Sequence, residues 1–261
     1  MAYLRSRDPW MEHAKDIIFA DDAVRVSLEA KNKDLIKFGR NTLVGTSIAT
    51  LMTLPAGVTN ETYVSTNAIT EIISTSTADA ESVVVEGQTI SGSDFTFVTQ
   101  TVSLNGRTAV TLATPLCRCT RIYNNDSTEL AGTVSVCETG TYTAGVPNTA
   151  ALVHCQIRAT QQQSEKAATT LSSVDYWVIT GMHAYLLDKT SGTAEVDLEI
   201  RLFGKVFRPV IDISVSDSHA TILNFYPYII VKPNSDIRLR AIADASSTDV
   251  GGAIFGALLK A

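Results

Sequence analysis

Asp217, Ser218 and His219 have the residue types of a hydrolase triad, but they are consecutive in the chain. The members of a triad meet in space from separate elements, so three neighbours in sequence are more typical of a polar turn. The chain also contains no Gly-x-Ser-x-Gly elbow and no glycine-rich phosphate-binding loop. The sequence therefore gives no support for a serine hydrolase or a nucleotide-binding enzyme.

Asp197 and Glu199 are an example of a carboxylate pair that could be considered for acid–base chemistry. A glycosidase needs its two carboxyl groups to face each other across a cleft, whereas these two alternate with apolar residues along one segment. A solvated strand face is therefore favoured. None of the histidines has the spacing of a zinc site. They are His13, His154, His183 and His219. The sequence predicts no enzymatic activity, no cofactor and no metal.

Cysteine usage gives little further chemistry. The four cysteines are Cys117, Cys119, Cys137 and Cys155. Cys117 and Cys119 would share one face of a strand, and this Cys-x-Cys spacing fits poorly with the Cys-x2–4-Cys loops of zinc sites. Free cysteines are commonly buried, so we expect four reduced core residues, with disulfides and a metal site as the alternatives.

The segment from Thr193 to Pro209 is the most informative element for the fold. Its apolar residues alternate with charged ones, as in a strand with one buried and one solvated face. The alternating apolar residues are Val196, Leu198, Ile200 and Leu202. Gly204 and Lys205 follow as a turn, which predicts a hairpin that ends at Pro209.

Arg238 and Arg240 share one face of a later predicted strand. They could pair across a sheet with Asp197, Glu199 and Arg201. The alternative is a contact between subunits, because arginine is favoured at protein interfaces. Both arginines are therefore candidate interface residues.

The first forty residues have a different texture and predict a partly helical arm. Asp8 and Pro9 have the types of an N-cap and a first helical residue. An apolar stripe over two turns follows, formed by Trp10, Met11, Ala14, Ile17 and Ile18. A lone short helix needs packing, so the arm either folds onto its own domain or docks on another subunit. Trp10, Met11, Ile17 and Ile18 are candidate interface residues.

Beyond residue 40 the chain consists of short runs of branched and aromatic residues separated by turn residues, without a convincing helix. Asn105-Gly106 between two such runs predicts a type I′ hairpin. Eight candidate strands follow residue 147, which is the number in a jelly roll. We predict an all-β fold of two antiparallel β-sandwich modules, the second jelly-roll-like, preceded by a short partly helical N-terminal arm. The predicted division is an arm at 1–40, a first sandwich at 41–143 and a second at 144–261.

Charge and hydropathy limit the partners and the compartment. The net charge of −6 argues against a nucleic-acid binder, which needs a basic surface. The longest apolar run near the end, residues 253–259, is too short to cross a bilayer. The amino terminus has no apolar signal core, so we expect a chain made and kept in a cytosol until assembly.

Three segments resemble virion structural proteins of tailed bacteriophages. They are Lys37–Asn41, Ile200–Arg208 and Lys232–Gly252. The resemblance implies a particle component without an enzymatic site, in the head, neck or tail of a virion that is assembled in a bacterial cytoplasm.

Our leading hypothesis is a capsid decoration (cement) protein that binds and stabilises the coat shell. It would be a homo-oligomer, expected to be a trimer, and its other partner would be the major capsid protein, with no nucleic acid and no membrane. The alternative is a tail or fibre-associated protein that binds a host-surface glycan through Tyr226 and Tyr228. A polysaccharide-cleaving enzyme is a third hypothesis, disfavoured because no paired acid and nucleophile is evident.

Overall fold

The computed structural model describes residues 33–187, 192–216, 220–245 and 247–260. Outside them lie the predicted arm helix with its candidate residues Trp10, Met11, Ile17 and Ile18, and the Asp217–His219 run. The described residues are almost entirely strands and loops, with one 3-10 turn at Ala150–Leu152. Every pair of neighbouring strands in this part of the chain is antiparallel. The predicted all-β class is confirmed.

The described residues form strands that we number in chain order. They are β1 (Lys33–Val44), β2 (Ala49–Thr50), β3 (Ile69–Ser74), β4 (Ser82–Ser91), β5 (Asp94–Ser103), β6 (Val110–Leu116), β7 (Arg118–Asn124), β8 (Val134–Glu138), β9 (Tyr142–Thr143), β10 (Val146–Pro147), β11 (Val153–Ile157), β12 (Ala168–Thr170), β13 (Asp175–Leu186), β14 (Thr193–Leu202), β15 (Arg208–Ser216), β16 (Ala220–Val231), β17 (Ser235–Ala243) and β18 (Thr248–Lys260).

Two sheets pack into a jelly roll. Sheet I has the order β1-β18-β13-β16, and sheet II has the order β12-β17-β14-β15 with β2 also paired to β17. If β2 and β12 are counted as one strand, the orders become first-eighth-third-sixth and second-seventh-fourth-fifth along the chain. This is the order of an eight-stranded jelly roll. Its core contains Trp177, Met182, Leu198, Leu239 and Ile254, none of which is accessible to solvent.

The second strand of the jelly roll is interrupted. The Leu51 N–H donates to the Leu239 oxygen at 3.0 Å, and the Leu239 N–H donates to the Ala167 oxygen at 2.8 Å. The Ala167 N–H donates in turn to the Leu51 oxygen at 2.9 Å. The chain therefore leaves the strand after Leu51 and re-enters it at Ala167. Residues 52–166 are an insertion into the jelly roll.

The insertion folds as a second sandwich, which we call the inserted sandwich. Its two sheets are sheet III, in the order β11-β8-β3-β6, and sheet IV, in the order β5-β4-β7. They enclose a separate apolar core that contains Ile69, Ile72, Val85, Ile122 and Val136. Burial of this core gives the insertion its own source of stability.

The strands are shared between the two sandwiches differently from the predicted boundaries after residues 40 and 143. β1, predicted to lie largely in the arm, pairs with β18 from Lys33↔Leu258 onwards. β11, predicted to lie in the second sandwich, pairs with β8 of the inserted sandwich. The reason is that strand partners are chosen by non-local packing, and an alternating pattern identifies a strand without its partner.

Two predicted turns have different outcomes. The hairpin predicted around Gly204 is present, because β14 and β15 pair and Gly204 in the connection has a φ of +72°. Glycine adopts this left-handed conformation without strain. The predicted end at Pro209 is wrong, because Pro209 pairs with Glu199 and β15 continues to Ser216. The predicted Asn105-Gly106 hairpin is wrong in its topology. A turn is present, closed by the Thr108 N–H on the Asn105 oxygen at 3.0 Å, but β5 and β6 on either side belong to different sheets.

Candidate functional site

The outward side of sheet II carries an ionic cluster. Neighbouring register pairs on β14 and β17 are Asp197↔Arg240, Glu199↔Arg238 and Arg201↔Asp236. Directly opposed residues in a sheet point to the same side, so opposite charges meet across the two strands. The cross-strand ion pairs that form are those of Glu199 with Arg238 and Arg240, and of Arg201 with Asp236.

Asp236 is the centre of this cluster and is fully buried. It accepts hydrogen bonds from Arg118 Nε at 2.9 Å, from Arg201 Nε at 2.9 Å and from Thr170 Oγ1 at 2.6 Å. Burial alone would raise the pKa of Asp236, but the hydrogen bonds and positive charges of the arginines hold it below its usual value. Because Arg118 lies on β7, this contact joins the inserted sandwich to the jelly roll.

Glu199 is the second buried carboxylate of the cluster. Its Oε2 accepts from Arg238 Nε at 2.8 Å, and its Oε1 pairs with Arg240. The Arg238 guanidinium also lies 3.7 Å from the ring centroid of Phe207, and Arg201 lies 4.4 Å from that of Tyr63. Arg238 and Arg240 thus have partners within the chain, and a role for them in an intersubunit contact stays a prediction.

A second group of buried charges lies where the chain leaves and re-enters the jelly roll. Lys166 Nζ pairs with Glu61 and donates to the backbone oxygens of Cys119, at 2.6 Å, and His154, at 3.1 Å. Burial alone lowers the pKa of Lys166, but Glu61 raises it above its usual value. Burial lowers the pKa of His154, whose Nε2 lies 3.1 Å from Glu138. These contacts fix the base of the inserted sandwich.

Lys37 adds a contact from the other sheet of the jelly roll. It lies on β1, is buried, and its Nζ is 3.4 Å from the Thr120 oxygen on β7. Burial lowers its pKa to about 8, because the charged form is poorly solvated there. Charged side chains from sheets I, II and IV therefore meet at the junction between the sandwiches.

The junction leaves no room for a substrate. The cavity at the junction encloses about 150 Å³, including space open to solvent, and does not admit a water molecule. Its lining includes Glu61, Tyr63, Arg118, Lys166 and Thr170. Within the described ranges, no group of three or more His, Cys, Asp or Glu residues is placed to hold a metal ion. We interpret this junction as a structural lock between two modules.

The cysteines take no part in a covalent link. All four are free and buried, as predicted for reduced core residues. Burial raises the pKa of Cys117 and of Cys137 to about 11, which disfavours their thiolates.

The outward side of sheet I has the opposite character. Phe38, Ala253, His183 and Ile222 form one row across all four strands. A neighbouring row is Ile36, Phe255, Gly181 and Asn224. Ile36 is 61% exposed and Ile222 is 67% exposed, and Ile230 and Tyr226 on β16 are exposed as well. We call this surface the outer face of sheet I.

Sequence reasoning missed this surface, although a signal was present. Tyr226 and Tyr228 were considered only as a glycan site, and the other apolar residues of the runs Leu35–Phe38 and Tyr226–Val231 were expected in cores. In each run apolar residues fall on both sides of the strand instead of alternating strictly with polar ones. An antiparallel sheet that is solvated on one side shows a clean alternation, so the breakdown of that pattern indicates a second apolar face.

Comparisons with known proteins give no family. No family model matches the chain, and no curated protein matches it. Within the described part, no helix has the length and apolar character needed to cross a membrane.

Solved structures of infectious bursal disease virus show a distant similarity. The structure of the Gx strain is 8% identical over 88% of this chain and 71% of that chain, with a TM-score of 0.24. The T13 viral particle is 9% identical over 96% of this chain and 77% of that chain, with a TM-score of 0.26. The VP2 subviral particle is 11% identical over 94% of this chain and 78% of that chain, with a TM-score of 0.22. Similarity at this level carries no argument about fold or function.

Proposed function

We propose that the chain is a structural virion protein of the decoration (cement) type, which binds an assembled coat shell and stabilises it without catalysis. The observation that carries this proposal is the exposed apolar outer face of sheet I on a body of two locked sandwiches. The phage-protein resemblance of the three sequence segments supports the virion assignment.

The size of the outer face of sheet I supports a role in protein contacts. Its strands have 12 or 13 residues. At about 3.3 Å per residue and about 4.8 Å between strands, the face measures roughly 40 by 19 Å, or about 760 Å². Within this footprint Ile36, Ile222 and Ile230 are exposed, and exposed apolar side chains gathered on one face mark interaction sites. A protein whose task is to hold others in place needs such a surface.

The junction between the sandwiches supports the same function. A cement protein bridges fixed points on a shell, so its two modules must keep a constant relation to each other. Arg118 on β7 and Asp236 on β17 supply a buried ion pair between the modules, and Gln88 Nε2 donates to the Thr170 oxygen at 2.8 Å beside it. Breaking a buried pair costs about 3–5 kcal/mol, so hinge motion here is disfavoured.

The proposed partners are the major capsid protein and further copies of the chain, in a virion assembled in a bacterial cytoplasm. The net charge of −6 disfavours nucleic acid as a partner.

The experiment compares particles assembled with and without the chain. We expect particles without it to lose their contents at a lower temperature or after osmotic shock. Ile222→Asp should reduce the protection, because it places a charge on the outer face of sheet I. Val206→Asp is the matched control, since Val206 is 71% exposed on the β14–β15 connection. Equal heat tolerance with and without the chain would contradict the proposal.

One observation favours glycan binding as a second candidate. Tyr226 is 79% exposed, and its ring centroid lies 6.5 Å from that of Tyr228 on the same strand. Aromatic side chains combine an apolar body with a polar group and suit contact surfaces. A glycan array would support this candidate if it gave a ligand whose binding is lost in Tyr226→Ala. An array without a ligand at millimolar concentration would remove it.

A further inference from the structure

We propose that the outer face of sheet I is the contact between two copies of this chain, packed sheet against sheet about a twofold axis. This inference rests on the proposed function and names a second copy of the chain as the partner of the apolar face, so that the coat shell would be bound by another surface of the pair. It is carried by the chemistry of the face and by its dimensions, which exceed the footprint of the predicted arm helix.

The chemistry of the outer face of sheet I suits a contact with its own copy. Its two central rows contain aromatic, branched and small residues, with His183 and Asn224 as the polar members. At one end of the sheet, Arg40 pairs with Asp249, so these charges are already matched within the chain. A twofold contact places the same surface on both sides, so opposing charges of one sign would be repulsive. An apolar face with its charges paired at the margin avoids that repulsion.

The side-chain types agree with those of interface cores. Aromatic residues are enriched there and charged residues are depleted. Phe38 lies on one edge strand of sheet I and Tyr226 on the other, and both are exposed. Two such sheets pack about 10 Å apart with their side chains interdigitated. The contact would therefore resemble the interior of the jelly roll itself.

The area of the face matches a stable interface between proteins. The outer face of sheet I measures about 760 Å² from the strand lengths and spacing. A standard interface buries about 800 Å² on each partner. A second copy would cover the whole face, whereas a small ligand would leave most of it in water.

The predicted helix of the arm is too small to be the occupant. Residues 8–19 would form a helix about 18 Å long and about 10 Å wide, with a footprint of roughly 180 Å². That is about a quarter of the face. The arm is connected to β1 and can reach sheet I, so it is the competing occupant that the experiment must separate.

The experiment measures the mass of the full chain in solution, without coat protein, by light scattering and sedimentation over a range of concentrations. We expect a dimer of about twice the chain mass of 28.0 kDa. Ile222→Asp should weaken association at least about 30-fold, because it replaces an exposed apolar side chain of the contact with a charge. Ile36→Asp on the opposite edge strand should act in the same way. Val206→Asp should remain dimeric.

Far-ultraviolet circular dichroism of each variant shows that the chain is still folded. Ile36 and Ile222 are exposed in the single chain, so their substitution leaves both cores intact. If Ile222→Asp fails to fold, Ile36→Asp provides the same test from the other edge.

Three results would overturn the inference. A dimer that persists in both Ile36→Asp and Ile222→Asp would place the contact elsewhere. A trimer, as the sequence led us to expect, would exclude a simple twofold pair. A monomer that dimerises only in the Trp10→Asp, Ile17→Asp double variant would show that the arm covers the face. The same experiments separate this inference from the proposed function. A dimer that protects no particle would contradict the proposed function and leave the dimer contact intact. A monomer that protects particles would contradict the dimer contact and leave the proposed function intact.

Discussion

Substitution of Asp236 by Asn is the sharpest test of the lock between the two sandwiches. Asp236 accepts from Arg118 on one sandwich and from Arg201 and Thr170 on the other. Asn keeps the shape of the side chain but removes its charge. The Arg118 side chain, only 3% exposed, would then lack its counter-charge.

The expected loss follows from this burial. Removing one partner of a buried ion pair costs about 3–5 kcal/mol, because the remaining charge stays desolvated. In a chain of this size each kcal/mol moves the unfolding midpoint by about 2–4 °C. Asp236→Asn should therefore unfold about 6–20 °C below the wild type.

The assay is thermal unfolding by calorimetry, with Asp212→Asn as the control. Asp212 lies on β15 of the same sheet and is exposed, so its substitution should change the free energy of unfolding by less than about 0.5 kcal/mol. Equal midpoints for the Asp236 and Asp212 variants would refute the reasoning.

The same variant has a pH signature. The pKa of Asp236 in the folded chain is lowered, so its ionised form contributes stability above the unfolded pKa of about 3.9. That contribution is lost as the pH falls through the folded value. The difference between wild type and Asp236→Asn should therefore be largest near neutral pH and narrow below about pH 4. A difference that stays constant down to pH 2 would assign the loss to packing instead of charge.

Three further predictions concern buried groups. Lys37→Met should stabilise the chain at pH 7 by up to about 3 kcal/mol, because burial lowers the pKa of Lys37 to about 8. Between about pH 8 and 10 the unfolded wild type binds more protons than the folded one, so the wild type should gain stability there and Lys37→Met should not. Lys205→Met is the control. A Lys37→Met variant whose stability depends on pH as the wild type's does would contradict the reasoning. Lys166→Met should lower the free energy of unfolding by about 3–5 kcal/mol in denaturant, and adding Glu61→Gln should restore part of it, since both are buried partners. Additive losses would show that the pair is not coupled. The four thiols, all buried and free, should react with a thiol reagent only after unfolding, and rapid labelling of the native chain would be inconsistent with the described cores.

The parts of the fold that sequence could predict are local ones. The hairpin of β14 and β15 follows from alternation on both sides of a glycine turn, so its residues carry all the information needed. The split second strand cannot be predicted in this way, because Leu51 and Ala167 are far apart in sequence and come together only when both bond to Leu239 and to each other in the folded chain. Nothing in the residues directly after Leu51 marks them as the start of an insertion.

The same distinction separates the site residues that sequence found from those it missed. Arg238 and Arg240 could be matched to Glu199 because alternating charges on two strands predict cross-strand pairs. Arg118 and Lys166 bring charges from the inserted sandwich and its connection, and no spacing rule links them to their partners. The outer face of sheet I was missed because apolar residues are assigned to the core by default. Only a strand with apolar residues on both sides indicates a second apolar face.

Electron cryo-microscopy of particles that contain the chain tests the central claim most directly. The map should show both sandwiches attached to the coat shell, in the relation fixed by the Arg118–Asp236 pair, with the outer face of sheet I covered by a second copy. A map in which no density on the coat shell fits the two sandwiches would contradict the account. So would a bound chain whose outer face of sheet I remains in solvent.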